Sequence, residues 1–236
     1  MPPPADLAGR LLALRERIAA AAAAVGRTAS EVQLLAVTKG QPLEVVQAAV
    51  AVGLHELGEN YVQECGEKAG QLDPAAGVRW HLIGHLQRNK ARRAARLFQM
   101  VESVDSAELA AHLAAAVPTA GAPLPVLLEV ELTGIPTRSG IRERELLSVA
   151  EAVARLPQLR LFGLMTVAGQ ERPERDFSRC RELRDRLEME LGAELPVLSM
   201  GMSSDFEAAI REGSTEVRIG TALLGPRVNA PSRGVG

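Results

Sequence analysis

The chain has 236 residues, with 27 basic and 29 acidic side chains and a formal net charge of −2. Hydrophobic residues at 47 % and charged residues at 24 % exclude intrinsic disorder, and the near-neutral balance argues against a chain built mainly to neutralise nucleic-acid phosphates. Only three of the basic residues are lysine (Lys39, Lys68 and Lys90), leaving 24 arginines, so chemistry needing an amine has three candidates. The two cysteines, Cys65 and Cys180, lie far apart with no CxxC spacing. That excludes a disulfide framework or a zinc cluster and suits a reducing compartment. The apolar run Ile18–Val25 is too short to span a bilayer and continues an amphipathic pattern carrying Arg10, Arg15 and Arg17, so a soluble cytoplasmic protein is expected.

An N-terminal helix is predicted over Asp6–Val25. A regular alternation follows, with β-rich runs at Val32–Thr38, Leu54–Leu57, Arg79–Ile83, Gln99–Val104, Val126–Leu132, Leu159–Thr166, Pro196–Met200 and Thr215–Ile219. Helical patterns separate them at Pro42–Val52, Tyr61–Gln71, Gln87–Phe98, Ala107–Ala116, Arg142–Arg155, Glu174–Leu191 and Asp205–Glu212. Several strands are apolar on both faces, as in a buried parallel sheet. Eight such strands alternating with helices predict an α/β (β/α)8 barrel in one domain, a fold of about 250 residues. An open doubly wound sheet is the competitor, but no GxGxxG follows the first strand. The ends, residues 1–5 and 229–236, read as flexible.

Barrels place functional groups at the C-terminal ends of their strands, with phosphate sites favoured after strands seven and eight. Lys39 ends the first strand on the face of Leu35 and Val37. Burial there would lower its pKa and expose the nucleophilic amine; the plainer reading is a lysine snorkelling at the rim. Lys68, on the polar stretch Gln63–Lys68, and Lys90, in the basic stretch Gln87–Arg96, both read as solvated. Lys39 is therefore the Schiff-base candidate. Strand seven runs into Leu198-Ser-Met-Gly-Met-Ser-Ser-Asp205 and strand eight into Val217-Arg-Ile-Gly-Thr-Ala222, with a short helix at Thr221–Leu224. Small residues at two adjacent helix N-termini suit an anion, although caps and a tight turn would look alike. Arg218 either points into the barrel, able to bond a ring nitrogen without protonating it, or pairs with Glu216 or a neighbouring strand. His81 and His85 share a strand face, but the further ligands of a metal site are missing. His81 reads equally as a ligand-facing or a satisfied core histidine. The stretch Gln87–Arg96 reads as a solvated helix face, with an RNA patch as the sharper alternative.

Six blocks carry a resemblance: Leu35-Ala-Val-Thr-Lys39, Gly58-Glu-Asn-Tyr-Val-Gln-Glu64, Trp80-His-Leu-Ile-Gly-His-Leu-Gln-Arg-Asn-Lys90, Gly163-Leu-Met165, Leu198-Ser-Met-Gly-Met-Ser203 and Val217-Arg-Ile-Gly-Thr221. In this order, from about Leu34 to Arg227, they resemble the pyridoxal phosphate homeostasis proteins, whose fold is similar to the N-terminal barrel of alanine racemase. The resemblance implies one such domain over 1–236 and pyridoxal 5′-phosphate (PLP) carried as an imine on Lys39. It implies that Ser199, Gly220 and Thr221 hold the phosphate, that Arg218 meets the pyridine nitrogen, and that Asn60, His81 and Met200 line the cofactor. It also implies a monomer without an established reaction that serves vitamin B6 pools and PLP-dependent apo-enzymes. Where many members read Asn, Glu and Lys after strand five, this chain has Glu131, Ile135 and Arg138, and a guanidinium forms no imine.

Two features separate carrier from enzyme. Racemisation needs a base on each face of the bound substrate, and the only tyrosine is Tyr61, a weak candidate for the second. An arginine at the ring nitrogen leaves the ring a poor electron sink. A PLP carrier is the leading expectation, a low-activity racemase or related enzyme the second, and an RNA-binding module the third.

Overall fold

The structure, a computed structural model, describes residues 6–118 and 121–227; the ends expected to be flexible, residues 1–5 and 229–236, lie outside the described residues. Nine strands form one sheet: β1 (Gln33–Val37), β2 (Glu56–Glu59), β3 (Arg79–Leu82), β4 (Met100–Val104), β5 (Leu124–Glu131), β6 (Ile141–Arg142), β7 (Leu159–Thr166), β8 (Val197–Ser199) and β9 (Glu216–Ile219). All pairings are parallel. The order β4-β3-β2-β1-β9-β8-β7-β5 closes through β4 and β5 into an eight-stranded barrel, and β6 lies beside the end of β5, pairing Ile141 with Val130. All eight barrel strands fall within two residues of the predicted runs. The extra strand, β6, is too short to leave a periodic signal.

The helices are α1 (Leu7–Ala23), α2 (Leu43–Ala51), α3 (Val62–Ala69), α4 (Ala91–Leu97), α5 (Ala107–Ala114), α6 (Glu143–Ala154), α7 (Pro173–Leu191), α8 (Phe206–Arg211) and α9 (Thr221–Leu224). Local chemistry sets their ends. The Asp6 carboxylate accepts from the Gly9 amide to start α1, and the Ser106 hydroxyl does the same for α5 from Leu109. Pro173 opens α7, and Gly192, at φ 61°, closes it. Helix α1 buries Leu7, Leu11, Leu14 and Ile18, a stripe at helical spacing. It packs on α8, where Arg17 bonds Glu207 and lies over the Phe206 ring at 4.6 Å.

Alternation along each strand divides the burial in two. One face joins the helices in the main core, which includes Ala36, Leu57, Leu82, Val126, Leu164, Leu198 and Val217. The other fills the barrel, where Met100, Leu127 and Met165 form a small apolar cluster and the remaining inward positions are largely polar. Strands β7 and β8 approach so closely at Gly163 that a Cβ there would lie 1.8 Å from the Val197 carbonyl oxygen. Only glycine fits.

Candidate functional site at the barrel mouth

The strand register determines what meets at the C-terminal mouth. Val37 pairs with Gly58 and Leu35 with Arg218. Lys39 and Asn60 each follow two residues beyond the Val37–Gly58 pair, on the same face of neighbouring chains. Gly220 follows β9 beside Val37, close enough that a Cβ would come within 3.3 Å of the Val37 carbonyl oxygen. Thr221, exposed, opens α9 directly after it. The mouth therefore gathers Lys39, Asn60, Gly220 and Thr221, with Arg218 beneath them. Ser203 also reaches this edge, its hydroxyl 3.5 Å from the Ala222 amide.

Burial lowers the Lys39 pKa below its ordinary 10.5, and the cations Arg227 and Arg218 lower it further, against partial opposition from Glu59 and Glu64. The neutral, nucleophilic amine is thus reached at lower pH than on a free lysine. Asn60 presents a buried Oδ1 with no hydrogen-bond partner in the structure, an acceptor that suits a polar ligand in the mouth.

Beneath the mouth, the barrel interior holds a chain of hydrogen bonds. Arg218 is buried and donates from Nη1 to the Ser199 carbonyl (2.5 Å) and hydroxyl (2.8 Å), and from Nη2 to the Thr166 carbonyl (2.8 Å). It bonds neighbouring strands and, among the described residues, makes no ion pair with Glu216, which accepts from Gln33 instead. The Ser199 hydroxyl donates to Glu102 at 2.6 Å. Glu102 and Glu56 bond opposite nitrogens of His81, at 2.7 and 2.8 Å. Burial opposes charging of His81, but the bonds to Glu102 and Glu56 outweigh it and push its pKa up to about 10. Burial and the nearby Glu102 charge push Glu216 up to about 8, despite His81. Glu56 and Glu102 are shifted the other way: although burial opposes it, their bonds to His81 hold both carboxyls below the ordinary 4.5.

Three of the residues expected to line the cofactor sit below or behind the rim. His81 is held from both sides by carboxylates, the satisfied-core reading, rather than turned toward the mouth. The Ser199 side chain is buried and committed to Glu102 and Arg218, so it lies beneath the mouth instead of at the edge with Gly220 and Thr221. Met200, the next residue, alternates outward and is buried in the core under the helices; its side chain does not line the barrel. His85 is exposed and pairs with Asp105, away from His81. The structure does bring Glu102 and Glu216 to His81, their ligand atoms all within 4.8 Å of one another, a grouping that linear spacing hides.

Lys68 is a correction. Rather than being solvated, it is buried, and its Nζ donates to Glu59 at 2.6 Å, Glu64 at 2.7 Å and the Thr38 carbonyl at 2.8 Å. The missed signal was the three-residue spacing of Val62, Cys65 and Lys68, which shares one helix stripe and is buried together. Lys90 is partly buried, while Arg92, Arg93 and Arg96 stand exposed on α4. Arg138 donates to the Val167 and Ala168 carbonyls after β7, at 2.8 and 3.3 Å. Beside it a cavity of about 280 Å³ is lined by Glu129, Ser139 and Val167. A separate cavity of about 790 Å³ lies between the end of β5, α6 and α7 and includes no residue of the mouth.

The alanine racemase N-terminal domain family matches residues 10–228. A pyridoxal phosphate homeostasis protein of Pseudomonas aeruginosa is 44 % identical over 225 residues, covering 94 % of this chain and 96 % of that protein. The structure of PipY from Synechococcus elongatus with PLP bound is similar at a TM-score of 0.83 and 34 % identity, covering 93 % of this chain and all of that one. Alanine racemase from Corynebacterium glutamicum shares the fold at a TM-score of 0.67 and 20 % identity, with 63 % of its chain covered. Barrel, mouth and sequence agree: this chain belongs to the pyridoxal phosphate homeostasis protein family.

Proposed function

We propose that this chain binds PLP, carries it as an imine on Lys39 and serves intracellular vitamin B6 homeostasis as a cytoplasmic, monomeric carrier for PLP-dependent apo-enzymes. The observation that carries the reading is the Lys39 amine, partly buried at the end of β1 with its pKa lowered by burial and by two guanidinium groups. The residues fit the cofactor. Lys39 offers the amine and Asn60 Oδ1 an unused acceptor. Gly220 and Thr221 offer a phosphate the N-terminal end of α9, and Arg227 adds a cation near Lys39. When bound, PLP supplies an aldehyde to condense with an amine and, in enzymes, an electron sink.

The arrangement favours holding over turnover. Arg218 is fixed by three acceptors inside the barrel; a guanidinium placed at the ring nitrogen of PLP would donate a hydrogen bond without protonating it, which would leave the electron sink weak. Tyr61 is half exposed at the start of α3, not enclosed in the mouth where a second base would work. The protein as purified is expected to be yellow, and the absorption band to vanish in Lys39→Ala. Stoichiometric loading of Lys39→Ala with an unchanged spectrum would overturn the assignment.

One observation favours the second reading, a low-activity racemase-like enzyme. Glu129 faces the 280 Å³ cavity with one buried oxygen unpartnered, and burial raises its pKa, as suits a proton-transfer group. Deuterium exchange at Cα of alanine separates the two: exchange lost in Glu129→Gln supports the enzyme, and absence of exchange in the unaltered protein supports the carrier.

A further inference from the structure

The peptide groups on both sides of Lys39 are held by a single buried cluster. On the N-terminal side, the Thr38 carbonyl accepts from Lys68 Nζ at 2.8 Å, and the Thr38 hydroxyl donates to Glu59 at 2.7 Å. On the C-terminal side, the Gly40 amide donates to Glu64 at 2.6 Å. Lys68 joins the two halves, because the same amine donates to Glu59 at 2.6 Å and to Glu64 at 2.7 Å. The turn beyond Lys39 is closed by the Gln41 amide on the Thr38 carbonyl at 3.0 Å. The Gln41 side chain then reaches the Gly225 and Pro226 carbonyls, beside α9.

Burying an ammonium and a carboxylate is weak support for a fold, since apolar side chains of equal volume often stabilise as much. What such a cluster supplies is geometry, because each donor has one place to sit. Here that geometry converges on the residue that must reach the cofactor. Lys39 projects inward while Thr38, Glu59 and Lys68 lie on the opposite, helix-facing side, so the cluster grips the backbone without occupying the mouth.

We propose that Lys68 is a positioning residue for Lys39: by bridging Glu59 and Glu64 and bonding the Thr38 carbonyl, it fixes the backbone from which the Lys39 amine meets PLP. The inference rests on the reading that Lys39 carries PLP. Losing one charge-assisted hydrogen bond at this point is worth about 1.4 kcal/mol, or about tenfold in affinity.

The experiment compares the full-length protein with Lys68→Met, Glu64→Ala and the control Glu67→Ala, titrating each with PLP and recording visible absorption, visible circular dichroism and thermal unfolding. Lys68→Met and Glu64→Ala are expected to bind PLP about tenfold more weakly and to lose much of the circular-dichroism intensity per bound PLP; Glu67→Ala is expected to match the unaltered protein. A merely structural tie lowers the unfolding temperature without altering the dichroism of the bound chromophore. Folded variants with unaltered affinity and dichroism would overturn the inference. If Lys68→Met does not fold, Glu64→Ala decides alone, since Glu64 is half-buried and releases the Gly40 amide without stranding Lys68 from Glu59. Failure of the unaltered protein to form an imine on Lys39 would instead overturn the reading beneath it.

Discussion

Two clusters of buried charge flank the first strand, and they differ in what they can do. Inside the barrel, Glu56, His81, Glu102, Ser199 and Arg218 form a connected chain beneath the mouth, with Glu216 3.8 Å from His81, and the six come from five strands. Outside it, Glu59, Glu64 and Lys68 come from one strand and one helix and close around the peptides flanking Lys39. The inner cluster contains groups that titrate in the neutral to alkaline range, so its charge balance changes with pH. The outer one also holds a shifted group, since burial raises the Glu59 carboxyl above its ordinary value, but it acts on the backbone around Lys39 as a mechanical tie. One fixes the orientation of Arg218, the other the position of the amine.

The comparison breaks most severely at Glu102, which joins His81 to Ser199. Glu102→Ala leaves an imidazolium and a guanidinium without their shared anion and is expected to cost about 3–5 kcal/mol in urea unfolding. Glu64→Ala in the outer cluster removes a hydrogen bond to a charged group that is half-buried, and a loss of about 1.5 kcal/mol is expected by the same measurement. Similar losses for both would show that the clusters are not distinct in kind.

A pH scan sharpens the contrast further. His81 is held above its ordinary 6.5, at about 10, so its contribution to stability is complete below 6.5 and lost as pH rises through about 10. Glu216 acts in the same direction, from its ordinary 4.5 up to about 8. The unfolding temperature is therefore expected to fall from about pH 4.5 through the Glu216 window to about 8 and through the His81 window to about 10, and His81→Gln to flatten the part above 6.5. In acid the sign reverses: Glu102 and Glu56 are held below 4.5, so their contributions are present above it and lost on acidification. The smallest effect is expected on α4. Arg92→Ala with Arg93→Ala alters exposed side chains that bond neither cluster, although Arg93 rests against α3 at Gly66, and should change stability by no more than about 0.5 kcal/mol. Salt-sensitive RNA binding lost in that variant would revive the RNA-module reading.

What the sequence revealed follows from what its local patterns encode. The run Leu34–Val37 is unbroken in its apolar signal because β1 is covered on both faces, and Lys39 stands out because it follows that run. Alternation then separates Ser199 from Met200 and puts them on opposite faces, so the two could not both line the interior. Lys68 was misread because a polar helix stretch hides which side chain points inward; only the spacing from Val62 and Cys65 marked the stripe. Glu102 and Glu216 carried no linear signal toward His81, since barrel closure alone brings those strands together. Charge partners across a closed sheet are a property of register, which no single strand displays.

The central claim is that one lysine of three carries the cofactor. Borohydride reduction of the PLP-loaded protein, followed by peptide mass spectrometry, tests it most directly. The account predicts a pyridoxyl group on Lys39 alone, with Lys68 and Lys90 unmodified. A label on Lys68 or Lys90, or saturating PLP with no reducible bond to any lysine, would contradict it.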